Sequence, residues 1–208
     1  MLRASRPYGW LFILSTWGQL ACDSAGNPQA PSAPAPEHFR VRFETTKGDF
    51  IVAVSRDWSP RGADRFYELV KSGFYDGCAF FRVVKGVLVQ FGINGDPAVT
   101  KKWRGRSIPD DLARNSNHRG YLSFAKSTAP NSRSTQVFVN CNDNSADLDV
   151  QGFSPFGRVI EGMEVVDSIN AEYRGEPDQA RIEVVGNEYL QRAFPRLDYV
   201  KKAVILEE

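Results

Sequence analysis

"FFRVVKGVLVQFGI", residues 80–93, is a nearly unbroken apolar run with Arg82 and Gln90 set inside it. Phe- and Val-rich stretches of this length read as two buried strands, 79–84 and 87–93. Strand side chains alternate faces, so Arg82 is expected to share a face with Phe80 and Val84, opposite Phe81 and Val83. The same parity places Gln90 with Leu88. A guanidinium in a packed interior costs several kcal/mol unless paired. Arg82 is therefore assigned to the outer face, and Val83 to the core. A surface arginine whose stem covers apolar neighbours fits the same pattern, and parity alone leaves both readings open.

Working outward, "TQVFVNC" (residues 135–141) repeats the theme: Gln136, Phe138 and Asn140 on one face, Val137, Val139 and Cys141 on the other. An outer face that mixes Arg, Gln, Phe and Leu is a half-apolar groove with donors at defined places, as a binding site requires. Residues 39–54 alternate Phe39, Val41, Phe43 and Phe50, Val52, Val54 about Lys47-Gly48, a strand–turn–strand pattern. Ser59 as cap, Pro60 in the first turn, the stripe Ala63, Phe66, Leu69 and Val70, and Gly73 as stop predict a helix. Further extended runs fall at 120–125, 135–141, 155–160 and 180–185, with a short helical pattern at 162–169. The count is eight strands and two main helices, which suits a closed barrel or a sandwich. Residues 94–119, with Lys101, Lys102, Arg104 and Arg106, are read as a surface excursion with a solvated charged face. Cys78 falls on the Arg82 parity and Cys141 on the opposite one, so no disulfide is expected.

The chain is long enough for one domain plus tails, and its 26 basic and 25 acidic residues leave a net charge of +1. No global field favours a nucleic acid or an anionic membrane. Two histidines and no paired Cys spacing leave the usual zinc and haem ligand sets without residues, so no cofactor is expected. Phosphate-loop, dinucleotide and serine-elbow motifs are missing from the sequence.

Arg3 and Arg6 precede a short apolar segment ending at Leu20-Ala21-Cys22, too brief for a span of about twenty residues. Residues 1–22 read as a signal peptide. Its end resembles the lipobox of bacterial prolipoproteins, with Gln19 where that pattern prefers an aliphatic residue. The resemblance implies export and lipidation at Cys22, on the periplasmic or cell-surface side of a bacterial membrane. Residues 23–38, Pro/Ala-rich and without large apolar side chains up to Glu37, read as a disordered linker. The folded part is then 39–185. Residues 186–208 form an extension expected to pack on it as a short helix and an extended end.

"FFRVVKGVLVQ", "GYLSFAK…PNSRSTQVFV" and "LDVQGFSPFGRVIEGMEVVDSI", in this order, resemble the cyclophilins, a family of peptidyl-prolyl cis-trans isomerases. The resemblance implies a mainly β fold, a closed eight-stranded antiparallel barrel capped by two helices. It implies that Arg82, Gln90 and Phe138 are catalytic, Phe138 being the floor of a proline pocket. Val87, Leu88, Ala125, Lys126, Gln136, Leu148 and Phe153 are the expected substrate-binding positions. Several depart from the family pattern: Val87 stands for a common phenylalanine, Lys126 for asparagine, Asp147 for an aromatic residue, and Phe153 lies near a common histidine or tyrosine. Slower turnover and poor cyclosporin-type binding are expected from these changes. The implied partners are Pro-containing segments of client proteins, with membrane contact only through the anchor and the protein a monomer. A second expectation is a low-activity module that grips Pro-containing segments of an envelope partner.

Overall fold

The computed structural model describes residues 34–206; the leader, Cys22 and linker residues up to 33 lie outside them, as do 207–208. The chain is already held at Ala35, which is buried and whose amide donates to Asp64 at 2.9 Å. Strand β1 (His38–Thr45) then pairs antiparallel with β2 (Gly48–Ser55), with Val41 opposite Val52 and Phe43 opposite Phe50. Their alternation works as expected, for Phe39, Val41, Phe43, Phe50, Val52 and Val54 all turn into the core.

Helix α1 (Pro60–Lys71) buries Ala63, Phe66, Leu69 and Val70 against that core. Its N-terminus corrects one detail. The Ser59 side chain does not cap the helix but donates to Asp111 at 2.6 Å. Asp111, distant in sequence, accepts from the Gly62 and Arg61 amides at 3.0 and 3.3 Å, placing a carboxylate on the positive end of the helix. Burial works to raise the Asp111 pKa, yet the Ser59 hydroxyl, the Gly62 amide and the Arg133 guanidinium together hold it below its usual value.

The remaining strands are β3 (Arg82–Val84), β4 (Leu88–Phe91), β5 (Tyr121–Phe124), β6 (Val137–Asn140), β7 (Pro155–Glu161) and β8 (Val200–Leu206). All eight form one sheet in the order β3-β4-β6-β5-β7-β2-β1-β8, and every paired neighbour is antiparallel. The fold is mainly β, as expected, but the closed barrel is not found. Among the described residues no ladder joins the edge strands β3 and β8, and the sheet is a curled, open half-barrel. A single bridge, Ala79 to Tyr199, spans the gap ahead of both strands.

The strand expected at 180–185 is a helix, and the eighth strand comes from the tail. Asp178 caps helix α5 (Gln179–Val185) by accepting from the Arg181 amide at 3.0 Å, and Ile182 is its one buried residue. That spacing suits a helix lying on a surface and outweighs the β-propensity of Ile-Glu-Val-Val. Gly186, at φ +69°, turns the chain into helix α6 (Asn187–Ala193). A Cβ at Gly186 would collide with the Gly95 carbonyl, which accepts from the Asn187 amide at 2.9 Å. This close approach docks α5 beside helix α2 (Pro97–Trp103). The two helices predicted as caps correspond to α1 and the six-residue α4 (Met163–Ser168); α3 (Ser145–Leu148) adds one turn.

The interior is aromatic. Phe43 stacks on Phe50 at 4.9 Å and meets Phe91 edge-on at 5.5 Å, while Phe66 of α1 lies 4.8 Å from Phe156 of β7. Val83, Val89, Val137 and Val139 belong to this core, as parity required. Phe80 and Phe81 do not follow parity. Phe80 joins the core, whereas Phe81 packs outside the sheet with Ile182, Leu190 and Leu197. The reason is a change of pairing partner: the Phe80 amide bonds to Asp198, and the β3–β4 ladder begins only at Arg82. The pleat slips by one residue between them. Cys78, expected on the side away from Cys141, is in the same core for the same reason. Both thiols are free, and burial raises both pKa values, that of Cys141 to about 11.

Candidate active site

The sheet register puts the functional residues on one rung. Arg82 on β3 is directly opposite Gln90 on β4, Gln90 opposite Phe138 on β6, and Phe138 opposite Ser123 on β5. Adjacent strands are about 4.8 Å apart, so a guanidinium, an amide and an aromatic ring follow one another across the sheet's outer face. Leu88 on β4 and Gln136 just ahead of β6 flank the rung, each two residues from it along the chain.

Arg82 is exposed, while Gln90 is 5 % exposed and Phe138 3 %. The Arg82 Nη1 donates to Gln90 Oε1 at 3.0 Å, and Gln90 Nε2 donates to Gln136 Oε1 at 2.8 Å. Gln136 Nε2 donates in turn to Gln179 Oε1 of α5 at 3.2 Å. Buried amides are costly unless bonded; here they satisfy one another. Among the described residues Arg82 has no carboxylate within ion-pair distance, whereas Arg133 is buried against Asp110 and Asp111. Among the described residues Gln90 is the one protein acceptor for the Arg82 guanidinium, which lines the groove.

Arg82, Leu88, Gln90, Gln136 and Phe138 line one groove of about 690 Å³, together with Ala125, Lys126, Leu148 and Phe153. Phe153 meets Phe138 edge-on at 5.6 Å, and the Lys126 ammonium lies 5.4 Å from the Phe153 ring. The result is an apolar corner in the same groove as the Arg82 guanidinium. Leu148 reaches it because α3 is tied down: Asn144 accepts from the Leu148 amide at 2.9 Å, and Asn117 donates to Asp149 at 2.8 Å. Val87 is not brought into the groove. It sits half-exposed at the turn before β4, where its carbonyl accepts from Cys141 and Asn144. Asp147 is likewise exposed and outside the groove lining.

Two walls were not foreseen. Residues 94–119, read as a solvated excursion, contribute Thr100 and Trp103 of α2 and Arg104 just after it to the groove, and α5 contributes Gln179 and Glu183. Arg104 and Glu183 pair across these helices at 3.4 Å. The start of α2 was legible as Asp96-Pro97, since Asp96 caps it by accepting from Ala98 at 2.8 Å. Trp103 within a basic run was the other signal; it is held between the guanidinium groups of Arg65 and Arg106, at 5.3 and 5.6 Å. Nothing in the sequence placed α5 there.

The family model for cyclophilin type peptidyl-prolyl cis-trans isomerase/CLD matches residues 40–187. Peptidyl-prolyl cis-trans isomerase B of Escherichia coli is 32% identical over 142 residues, 65% of this chain and 86% of its own length. Isomerase A of Dickeya dadantii is 33% identical over 147 residues, 68% of this chain and 76% of its own. In fold, the chain is similar to a solved cyclophilin type isomerase of Cryptosporidium parvum. The TM-score is 0.61 at 23% identity, covering 82% of this chain and 99% of the other. With the eight-stranded sheet and the matched span taken together, the chain belongs to the cyclophilin-type peptidyl-prolyl cis-trans isomerases.

Proposed function

We propose that Arg82 is the group that accelerates X-Pro rotation, with Phe138 holding the pyrrolidine ring. The prolyl amide is planar by resonance and turns over a barrier of roughly 18–20 kcal/mol, in tens to hundreds of seconds unaided. Twisting it breaks the resonance and localises a lone pair on the proline nitrogen. A guanidinium fixed beside that nitrogen bonds the twisted amide better than the planar one and so lowers the barrier. This scheme asks for no nucleophile and no proton transfer. Phe138, Phe153 and Leu88 hold the ring by apolar contact while the rest of the peptide rotates, and Gln90 orients Arg82 and binds a substrate carbonyl.

The observation that carries this reading is the rung itself, an Arg82 with no carboxylate partner among the described residues, two strands from a buried ring that lines a groove. The experiment is a protease-coupled or NMR-exchange assay on a Pro-containing tetrapeptide with wild type and Arg82→Ala. A loss of about a hundredfold in kcat/KM is expected, the usual effect of removing one transition-state donor; equal rates overturn the assignment.

The clients we infer are exported proteins, met on the outer side of a bacterial membrane to which Cys22 tethers the domain. The support is the short apolar leader, the lipobox-like Leu20-Ala21-Cys22 and the Pro-rich chain after it. Labelling with radioactive palmitate, with and without Cys22→Ser, tests the tether. A label that persists in the variant rules out that residue.

A further inference from the structure

The slip in the pleat at Phe81–Arg82 gives the segment after α4 access to the catalytic arm. Phe81 turns outward and joins Ile182 of α5 and Leu190 of α6 in a second apolar cluster, which seats both helices beside β3. The chain leading into α5 touches the arginine directly. The Arg174 carbonyl accepts from the Val83 amide at 2.7 Å, and a Cβ on Gly175 would stand 3.4 Å from Arg82 Cγ. Gln179 follows at the start of α5 and accepts from Gln136.

The polarity of this relay is forced from one end. An arginine can only donate, so Gln90 must turn its carbonyl oxygen to Arg82 and its NH2 to Gln136. Gln136 must then present its oxygen to Gln90 and its NH2 outward. At that outer end the matching group is an acceptor, and Gln179 Oε1 supplies one at 3.2 Å. With both ends specified, neither central amide can flip without facing two like groups. Arg82 alone already sets the polarity of both amides; what the outer acceptor adds is a second anchor that holds the half-buried Gln136 side chain, and through it Gln90, in place.

We infer that Gln179 is a positioning residue for isomerisation: by terminating the Arg82–Gln90–Gln136 relay it holds the Arg82 guanidinium in the orientation that meets the twisted amide. The inference rests on Arg82 being the catalytic group. It gives the α5 segment a role that Ile182 packing alone would not require.

The test uses Gln179→Leu, which removes the acceptor at similar size, and Gln179→Glu, which restores one. Gln179 is exposed, so both variants are expected to fold, and melting temperature checks this. For Gln179→Leu, kcat is expected to fall about fivefold, the worth of one ordinary hydrogen bond. Its Kd for a Pro-containing peptide should stay within about twofold of wild type, and the Gln90 side-chain amide resonances should move. Gln179→Glu is expected to recover most of the loss. In an Arg82→Ala background, Gln179→Leu should cost nothing further, because its effect passes through the arginine. A wild-type kcat, unmoved amide resonances, weakened peptide binding as the sole change, or full additivity with Arg82→Ala each overturns the inference. A wild-type rate in Arg82→Ala alone is a different failure, that of the catalytic assignment itself.

Discussion

Strands β4 and β6 present two faces that are nearly equally dry and chemically unlike. Inward, Val89, Phe91, Val137 and Val139 are at most 2 % exposed and belong to the aromatic core. Outward, Leu88, Gln90 and Phe138 are only 3–8 % exposed, yet they line the groove. Burial therefore does not separate core from site. What separates them is how buried groups are satisfied: the inner face by packing alone, the outer by a relay of amides running from Arg82 to Gln179. A dry wall carrying fixed dipoles can favour one substrate geometry over another; a dry wall of valines cannot.

The sharpest way to break this contrast is to cut one aromatic from each face. Phe91→Ala is expected to cost about 3–5 kcal/mol of stability in urea unfolding, as for a fully enclosed phenylalanine. Phe138→Ala, whose ring is 3 % exposed, is expected to cost a comparable amount and in addition to lower kcat/KM at least about tenfold, because it also lines the groove. An unchanged kcat/KM in the folded variant would mean that the outer ring is ordinary core. Next in size is Arg82→Ala, whose expected hundredfold loss of activity should come with a stability loss of about 1–3 kcal/mol, because the buried Gln90 Oε1 is left without its donor.

Smaller still, Gln90→Leu keeps the shape but leaves Arg82 without its acceptor and Gln136 without its donor. A drop of about tenfold in kcat/KM with near-neutral stability is expected, since the desolvation cost of the amide is removed together with its bonds. A variant as active as wild type would show that dryness alone suffices on the outer face. The smallest effect belongs to an exposed control. The Ser145 hydroxyl, then the Ser145 amide and His118, hold the Asp143 carboxyl down at about 2. A depressed carboxylate contributes stability that is complete above its ordinary value and is lost as pH falls through the folded one. An NMR titration of Asp143 should give a midpoint near 2, moving toward about 3.9 in Ser145→Ala. No movement would mean that hydrogen-bond direction does not govern that carboxyl.

Much of the site is legible in the sequence. The alternation in "VLVQF" and "TQVFVN" puts Leu88, Gln90, Gln136 and Phe138 outward, and all four line the groove. Val87, expected at the site from the resemblance and not from parity, sits in the turn before β4 and does not line the groove. Parity failed at Phe80, Phe81 and Cys78, where the chain changes pairing partner. The walls from α2 and α5 were missed for a different reason. "ARIEVV" alternates as a strand would, and only the Asp178 cap and the seat for Ile182 among Phe81, Ile93 and Leu190 make it a helix.

The amino-acid order alone determined which side chains share a face on β1, β2, β4 and β6, where α1 lies, and that an arginine and a glutamine would stand outside the core. These are properties of a pleat or a helical turn, and they depend on neighbours one to four residues away. The tertiary structure decided that Arg82, Gln90 and Phe138 fall on one rung, that the eighth strand is Val200–Leu206, that the sheet stays open, and that α5 borders the groove. Each of these depends on pairing or docking between segments far apart in the chain, and local propensity carries no information about a partner it does not touch.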